Sequence, residues 1–436
     1  MPPYATALFI VAGIFVGVSF FQVSFFDVNY DKKTSEVHAR QSLENELPVT
    51  EKNDGPDTRD VVTHVPLPKQ VKAIYMTACV AGTKDFRERL ITLARETEVN
   101  TIIIDIKDYS GSISFPPVSD AWKPAWEQAV CGARDMKELV QTMHDNNIFV
   151  IGRITVFQDP LYAKTHPDQA VLRSDKSTVW TDHKGLAFVD VAAKPYWDHI
   201  VALSAEAYNI GFDELNYDYV RYPSDGNMSD TYFPQSVAGQ YGMDKQANLE
   251  AFFKYLNERL DEEKNFNAFK HENTGRTTST PYTSADLFGM TTTNYNDLSI
   301  GQVQDRAVPY FDFIAPMVYP SHYPANFLGL GNPNDYPYKI VYHAMKTGVQ
   351  RLASDTTPME GFLHQRIGTS TPAQYKKPTQ GPEKLRTWIQ DFDYGGDYDA
   401  ADVRAQIQAS YDAGVMSWMI WAPSNRYTVE ALEGAE

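Results

Sequence analysis

Residues 211–223 read GFDELNYDYVRYP and combine the pattern of a buried strand with a concentration of charge. The segment carries Asp213, Glu214, Asp218 and Arg221 among aromatic and aliphatic residues. Burying a charge costs free energy unless the charge is paired or has a task. The place of this predicted strand in the chain therefore decides both the fold and the position of a candidate site.

The charged segment is the fourth of eight predicted strands that alternate with helices, a pattern that predicts an α/β fold of the (β/α)8 TIM-barrel type. A doubly wound open sheet is the alternative, but the chain has no GxGxxG or GxxxxGK[ST] turn to favour it. Residues 350–382 read as an insertion. The predicted strands lie at 71–77, 100–108, 148–157, 212–220, 277–288, 311–320, the end of 383–392 and 415–423. The predicted helices lie at 86–97, 133–146, 196–210, 245–263, 300–308, 337–349 and 401–414.

The chain before the barrel divides into an apolar and a polar part. Residues 1–26 contain no charged side chain, and their apolar run is long enough to cross a bilayer. We expect an uncleaved N-terminal membrane anchor, with a cleaved signal peptide as the alternative. Residues 27–69 have the polar composition of a flexible linker, and residues 70–436 form the predicted barrel domain. This order predicts a barrel anchored to a membrane and located outside the cytoplasm.

Composition limits the partners of the chain. The formal net charge of −17 and a pI near 5.0 argue against nucleic acid, because phosphate contacts need a basic surface. Aromatic residues make up 13% of the chain, which suits stacking on sugars. The histidines show no HxH or HExxH spacing, so we expect no metal and no cofactor. Cys79 and Cys131 follow the first and second predicted strands, where a disulfide and two free thiols are both open.

Polar residues at the C-terminal ends of barrel strands are the candidates for the site, because those ends build the active sites of such barrels. Side-chain alternation places Glu214, Asn216 and Asp218 on one face of the fourth strand, with Asp218 at the mouth if that face points inward. The other strand ends contribute further candidates. These are Asp105 and Lys107 on strand two, Asp286 on strand five, Tyr319 and His322 on strand six, Gln390 and Asp391 on strand seven, and Trp421 on strand eight.

Acidic residues at several strand ends, with tryptophan and tyrosine beside them, point to sugar chemistry. Glycoside cleavage uses two carboxyl groups that flank the scissile bond. The pattern predicts Asp218 as the nucleophile or stabilising carboxylate and Asp286 as the acid/base, with the other candidates and Arg221 binding sugar. Structural alternatives stay open: an Asp105–Lys107 ion pair, a Glu214 pair with Lys107 or Arg153, and a packing role for Asp213.

Several segments in this order resemble the DUF4015 family of glycoside hydrolase-like domains over about residues 71–432. The resemblance implies a TIM-barrel glycosidase that is exported. The segments include KAIYMTACVAGTKDF (72–86), VNTIIIDIKDYSGSISF (99–115), GFDELNYDYVRYPSDG (211–226), SADLFG (284–289), APMVYPSHY (315–323), WIQDF (388–392) and IWAPSN (420–425).

A second similarity, to the α-amylase superfamily, rests on the five-residue spacing of Asp213 and Asp218. It implies Asp218 as nucleophile and Asp286 as acid/base. The chain departs from that pattern at Asn216, where the superfamily has arginine, and at Asp286, where it has glutamate.

These observations predict a glycoside hydrolase acting on a polysaccharide or cell-envelope glycan. One alternative is a membrane-tethered barrel that binds carbohydrate without cleaving it. The other is a structural protein of the cell envelope. The sugar, the linkage and the stereochemical outcome depend on geometry that sequence does not contain.

Overall fold

The computed structural model describes residues 59–435. The predicted N-terminal anchor and most of the predicted linker lie outside the described residues. Within residues 59–435, no helix combines the length and the apolar character needed to cross a membrane.

Eight parallel strands form a closed barrel, as the alternation predicts, so the open-sheet alternative is wrong. Each strand pairs with the next one in the chain, and the last pairs with the first through Met419 and Ala73. The strands are β1 (Lys72–Met76), β2 (Thr101–Lys107), β3 (Phe149–Thr155), β4 (Glu214–Asp218), β5 (Tyr282–Phe288), β6 (Phe313–Met317), β7 (Thr387–Gln390) and β8 (Trp418–Trp421).

One helix lies between each pair of successive barrel strands, with shorter helical segments in the loops. The main helices are α1 (Lys84–Glu96), α2 (Met136–His144), α3 (Lys194–Ile210), α4 (Lys245–Leu260), α5 (Gln304–Ala307), α6 (Pro337–Ala353) and α7 (Ala400–Ala413). The helix predicted at 300–308 is a single turn, because Pro309 follows at once in a 3-10 turn. Asp399 begins α7 with a capping box, which satisfies the free N–H groups of its first turn.

The barrel interior is mixed in character. Its apolar part includes Tyr75, Ile103, Ile151 and Met419, whereas residues pointing outward pack against the helices. The interior also contains a buried ion pair, in which Arg386 Nη1 lies 2.6 and 2.8 Å from the two carboxylate oxygens of Glu214. Because both partners are buried, each charge depends on the other for compensation.

Regular secondary structure begins at Val61, within the segment that the sequence predicts to be a flexible linker. The strand Val61–Thr63 pairs in parallel with Lys270–Glu272, whereas the linker was predicted to continue to residue 69. Val62 and His64 are buried, so this segment packs onto the barrel.

Asp213 lies immediately before β4, in a buried histidine cluster formed by His64, His144 and His271. Its carboxylate oxygens lie 3.2 Å from His64 Nδ1 and 3.0 Å from His144 Nε2. His64 Nε2 in turn lies 3.0 Å from His271 Nδ1. Although burial alone would raise the pKa of Asp213, hydrogen bonds from the two histidines lower it below its usual range. Asp213 thus joins the early strand to the barrel.

Connections between the barrel elements carry small sheets of their own. The predicted insertion contains the antiparallel strands Thr356–Thr357, Gln365–Ile367 and Gln374–Lys376. Leu172–Arg173 pairs with Thr231–Tyr232, which joins the loops after β3 and β4. Polar sequences with several prolines concealed these short strands from the sequence pattern.

Cys79 and Cys131 form a disulfide, with Cα atoms 4.6 Å apart. The bond links the loops that follow β1 and β2. Of the two alternatives left open by the sequence, the disulfide is confirmed.

Candidate active site

A cavity of about 710 Å³ opens at the C-terminal ends of the barrel strands. The fold places it there because the loops that follow parallel strands all emerge at one end of a barrel. Polar and aromatic side chains line it together. They include Arg153, Asp218, Tyr219, Arg221, Asp225, Asp286, Phe288, Tyr319, His322, Trp388, Phe392, Tyr394 and Trp421.

Arg153 on β3 joins two carboxylates beneath this cavity. Its Nη1 donates to Asp105 Oδ1 at 2.6 Å, and its Nε donates to Asp218 Oδ2 at 3.1 Å. A second bond runs from Nη2 to the same Asp218 oxygen. Burial alone would lower the pKa of Arg153, but the carboxylates of Asp218 and Asp105 outweigh it and hold this pKa well above its usual value. Arg153 is thus a permanent counterion for both.

Asp105 belongs to the layer below the cavity. The Tyr75 hydroxyl donates a hydrogen bond to Asp105 Oδ2, and Arg153 contacts the other oxygen. Burial raises the pKa of Asp105, while Arg153 and Tyr75 oppose the shift. With both oxygens occupied, Asp105 orients Arg153 and does not line the cavity.

Asp286 at the end of β5 is buried yet borders the cavity. Trp388 Nε1 and Asn216 Nδ2 both donate to its Oδ1, at 2.7 and 2.9 Å. Burial and the nearby charge of Asp218 raise the pKa of Asp286 to about 8. Asp286 therefore keeps its proton at neutral pH. Because both donors occupy Oδ1, the proton belongs on Oδ2.

Asp218 and Asp286 lie close together on neighbouring strands. Arg153 Nε is 3.1 Å from Asp218 Oδ2 and 3.9 Å from Asp286 Oδ2. The two carboxylate oxygens are therefore no farther apart than the sum of these distances. This places an ion-paired carboxylate beside a protonated carboxylic acid, both facing one cavity.

Aromatic rings form the walls around this pair. Trp421 stacks on Tyr75 with ring centroids 4.1 Å apart and meets Trp388 edge-on at 5.6 Å. Just after β6, Tyr319 packs edge-on against His322 at 5.2 Å. Burial lowers the pKa of His322, so its ring is neutral at neutral pH. Flat apolar faces of this kind suit the C–H surfaces of sugars.

Residues 73–427 match the model of the DUF4015 family, described as "Putative glycosyl hydrolase domain". The chain belongs to this family. Its membership confirms the resemblance read from the sequence and identifies the chain as a glycosidase. No curated protein is significantly similar to it.

The solved structures that are similar to this glycosidase include two proteins from bacteria. The glycoside hydrolase domain of PgaB (BpsB) from Bordetella bronchiseptica matches with a TM-score of 0.52 and 10% identity, over 86% of this chain and 99% of that domain. This match shows that the chain and the PgaB domain share a fold. A hypothetical protein from Ruminiclostridium thermocellum is 27% identical over 46% of this chain and 95% of its own length, with a TM-score of 0.38. The predicted link to the α-amylase superfamily is not confirmed.

Six of the predicted site residues line the cavity of this glycosidase. Their side chains meet there from four different strand ends, which agrees with the principle that barrel sites combine several strands. They are Asp218, Arg221, Asp286, Tyr319, His322 and Trp421. Their predicted roles in catalysis and binding stay predictions.

Three predicted binding residues lie in the barrel interior instead, and a fourth lies beneath a loop. Besides Asp105, Asn216 donates to Asp286 and to Ser284 Oγ, and Glu214 is paired with Arg386. The Lys107 ammonium lies 3.1 Å from Asp159 Oδ2 and donates to the Thr155 carbonyl. The sequence predicted Lys107 beside Asp105, but the β2–β3 register shifts between these two residues.

Gln390 and Asp391 at the end of β7 do not line the cavity themselves but contact the loops around it. Gln390 Oε1 accepts from the backbone and hydroxyl of Ser321. Asp391 accepts from the backbone and hydroxyl of Thr428 at 2.9 and 2.7 Å. Burial raises the pKa of Asp391. Both residues hold rim loops in place.

Sequence reasoning missed Trp388 and Tyr75 and saw Arg153 only as a partner of Glu214. The sequence did contain a signal for Arg153, because it is a charged residue inside the apolar run IFVIGRITVF. Charged residues inside the predicted fourth strand were the signal that pointed to Asp218. Trp388 precedes Gln390 by two residues and so shares its face of β7. Tyr75 carried no signal, because a tyrosine in a strand usually packs.

Proposed function

We propose that this glycosidase cleaves O-glycosidic bonds of a polysaccharide or cell-envelope glycan with Asp218 and Asp286 as its catalytic pair. One observation carries the proposal. A carboxylate held in an ion pair with Arg153 and a carboxyl group with a pKa of about 8 face one cavity. Glycoside cleavage requires two carboxyl groups in opposite protonation states.

In the proposed reaction, Asp286 donates its Oδ2 proton to the glycosidic oxygen as the bond to the anomeric carbon breaks. Asp218 supplies negative charge to that carbon, either by attacking it or by stabilising its positive charge. Asp286, now ionised, then takes a proton from the water that completes hydrolysis. Arg153 keeps the Asp218 carboxylate oriented throughout.

The upper limit on the separation of the two carboxyl groups favours a retaining outcome. Retaining glycosidases place their carboxyl groups about 5 to 5.5 Å apart, whereas inverting enzymes leave about 6.5 to 9.5 Å for a water molecule. The upper limit set by the distances of 3.1 and 3.9 Å to Arg153 Nε includes the first range and only the lowest part of the second. Proton NMR of the released sugar anomer tests this outcome directly.

The deciding experiment measures hydrolysis of a polysaccharide panel by the full chain and by Asp218→Asn and Asp286→Asn. We expect each substitution to lower kcat/KM by about 100- to 10,000-fold, the usual contribution of such groups. Asp312→Asn is the matched control, because Asp312 sits at the start of β6 and bonds with Arg276 outside the cavity. Full activity of a folded Asp218→Asn variant would contradict the proposal. Binding without turnover by the wild type would favour the carbohydrate-binding alternative.

We also propose that the barrel acts outside the cytoplasm, attached through the N-terminal segment. The Cys79–Cys131 disulfide supports this location, because such bonds persist in oxidising compartments. Alkaline phosphatase fused after residue 436 tests it, since that reporter is active only when exported. An inactive but stable fusion would contradict the location.

A further inference from the structure

Arg221 differs from every other buried cation in residues 59–435. Arg221 is only 6% exposed, and no carboxylate lies within 4.0 Å of its guanidinium. The other buried lysines and arginines each have such a carboxylate. The pairs are Lys107–Asp159, Arg153–Asp218, Arg306–Glu250, Arg351–Asp305, Lys377–Asp305 and Arg386–Glu214.

The contacts of Arg221 compensate only part of its desolvation. Nη1 donates to the Tyr222 carbonyl at 3.1 Å. The guanidinium carbon lies 4.7 Å from the centroid of the Tyr219 ring and 5.1 Å from that of Phe288. Cation–π contacts contribute about 0.5 to 2 kcal/mol, whereas burying an ion costs several kcal/mol. Hydrogen-bonding capacity therefore remains on Arg221.

The contact between Arg221 and the Tyr219 ring depends on a strained backbone conformation at Tyr219. Tyr219 directly follows Asp218 and has a φ of 51°, a left-handed conformation that costs a non-glycine residue about 1 to 2 kcal/mol. The turn brings the Tyr219 ring against Arg221. Strain of this kind is concentrated at functional sites.

Arg221 borders the same cavity as Asp218 and Asp286, and Lys184 lies at its edge. The carboxylate of Asp218 is already bonded to Arg153. Among the carboxylates lining the cavity, Asp225 is then the one that remains to balance Arg221 and Lys184. In a chain of net charge −17, the guanidinium of Arg221 thus borders the candidate active site without a carboxylate within 4.0 Å.

We propose that Arg221, assisted by Lys184, binds a carboxylate carried by the sugar, so that the substrate is an acidic glycan. The inference rests on the proposed function of this cavity. A guanidinium matches a carboxylate in shape and charge. The carboxylates of Asp218 and Asp225 nearby disfavour a doubly charged group such as a phosphate monoester, and a sugar carboxylate carries a single charge.

The test compares carboxylated glycans with their carboxyl-reduced forms, in which each carboxylate becomes a neutral CH2OH group. One probe is a galacturonate oligomer, with the carboxylate on the ring. The other is a muramic-acid glycan strand, with the carboxylate on an ether-linked side chain. Binding to the full chain carrying Asp218→Asn is measured by calorimetry, with and without Arg221→Met. Arg404→Met, which removes an arginine paired with Glu98 away from the cavity, is the matched control.

We expect at least one carboxylated probe to bind about 10- to 100-fold more tightly than its reduced form, as charge-assisted bonds worth about 1.5 to 3 kcal/mol imply. Arg221→Met should remove this preference and leave binding of the reduced form unchanged. Lys184→Ala, at an exposed position, should weaken the preference even if Arg221→Met fails to fold. The preferred probe identifies which carboxylate is recognised.

Equal loss of binding to both forms in Arg221→Met, or no preference of the parent protein for either carboxylated probe, would overturn the inference. These outcomes leave the proposed function intact if neutral glycans are cleaved and Asp218→Asn abolishes the cleavage. Conversely, a carboxylate preference without turnover of any glycan by the wild type would support Arg221 as a recognition residue and contradict hydrolysis.

Discussion

The indole N–H of Trp388 donates a 2.7 Å hydrogen bond to Asp286 Oδ1. This bond favours the ionised carboxylate and so opposes the rise in the pKa of Asp286 to about 8. Trp388→Phe keeps an aromatic ring and removes the donor. We expect the pKa of Asp286 to rise further, and the alkaline limb of the pH profile of kcat to move to higher pH.

The matched control for Trp388→Phe is Trp418→Phe on β8, whose indole donates to the Tyr411 hydroxyl outside the cavity. Trp418→Phe should leave the alkaline limb where it is in the wild type. An unchanged limb in Trp388→Phe, or an equal shift in both variants, would mean that Trp388 does not set the pKa of the acid.

Asp286 should make the protein less stable as pH rises. Its pKa is raised from 3.8 to about 8, so between these values the folded state binds the proton more tightly than the unfolded state. The free energy of unfolding therefore falls across this window. Asp286→Asn resembles the protonated acid and lacks the effect. At pH 9 we expect the variant to be more stable than the wild type by several kcal/mol, from about 1.4 kcal/mol per pKa unit.

Urea unfolding of Asp286→Asn and wild type from pH 4 to pH 9 measures this difference. The two stabilities should converge near pH 4, where both side chains are neutral. A difference that stays constant across the range would show that the substitution acts through packing and not through ionisation.

Removing only one partner of the buried Glu214–Arg386 ion pair should destabilise the protein. Both charges are buried in the barrel, with Arg386 Nη1 2.6 Å from Glu214 Oε1. Arg386→Met leaves the Glu214 carboxylate uncompensated and should lower the free energy of unfolding by about 3 to 5 kcal/mol. Arg386→Met with Glu214→Gln should cost less, because no charge is then stranded.

Chemical denaturation of these variants tests the pair, and Lys123→Ala serves as the control. Lys123 forms an exposed pair with Asp120, and exposed pairs contribute about 0 to 1 kcal/mol. If the double variant is less stable than the single one, the charge of Glu214 is compensated by other groups.

His271 should make folding sensitive to mild acid. Burial and the neighbouring His64 lower its pKa from 6.5 to about 4. The unfolded state therefore binds the proton more tightly, and stability is lost as pH falls from about 6.5 towards 4. His271→Phe keeps the ring beside Tyr208 and cannot titrate, so it should reduce this loss by about 2 to 3 kcal/mol.

Thermal unfolding at pH 7, 5.5 and 4 compares His271→Phe with wild type and with His183→Asn at an exposed position. Identical pH dependence of the three proteins would show that acid acts elsewhere. Because His271 belongs to the histidine cluster around Asp213, the same data report how firmly the early strand is held to the barrel.

The sequence predicted the barrel and one face of the site because both depend on local periodicity. Alternation on β4 put Glu214, Asn216 and Asp218 on one face, and all three point into the barrel and its cavity. It failed at Lys107, where the register shift after Asp105 sends the ammonium to Asp159. Periodicity could not predict the contact of Trp388 with Asp286, because the two residues are 102 positions apart in the sequence and lie on different strands.

Because Cys79 and Cys131 form a disulfide, the stability of a purified sample depends on whether its cysteines are oxidised. It joins positions separated by 52 residues, and a cross-link of that span restricts the unfolded chain by about 4 kcal/mol in the chain-entropy model. Protein recovered from a reducing cytosol, or stored with dithiothreitol, would lack this tie between the first two rim loops. Melting temperatures from different laboratories then compare two chemical species, and thiol titration of each batch tells them apart.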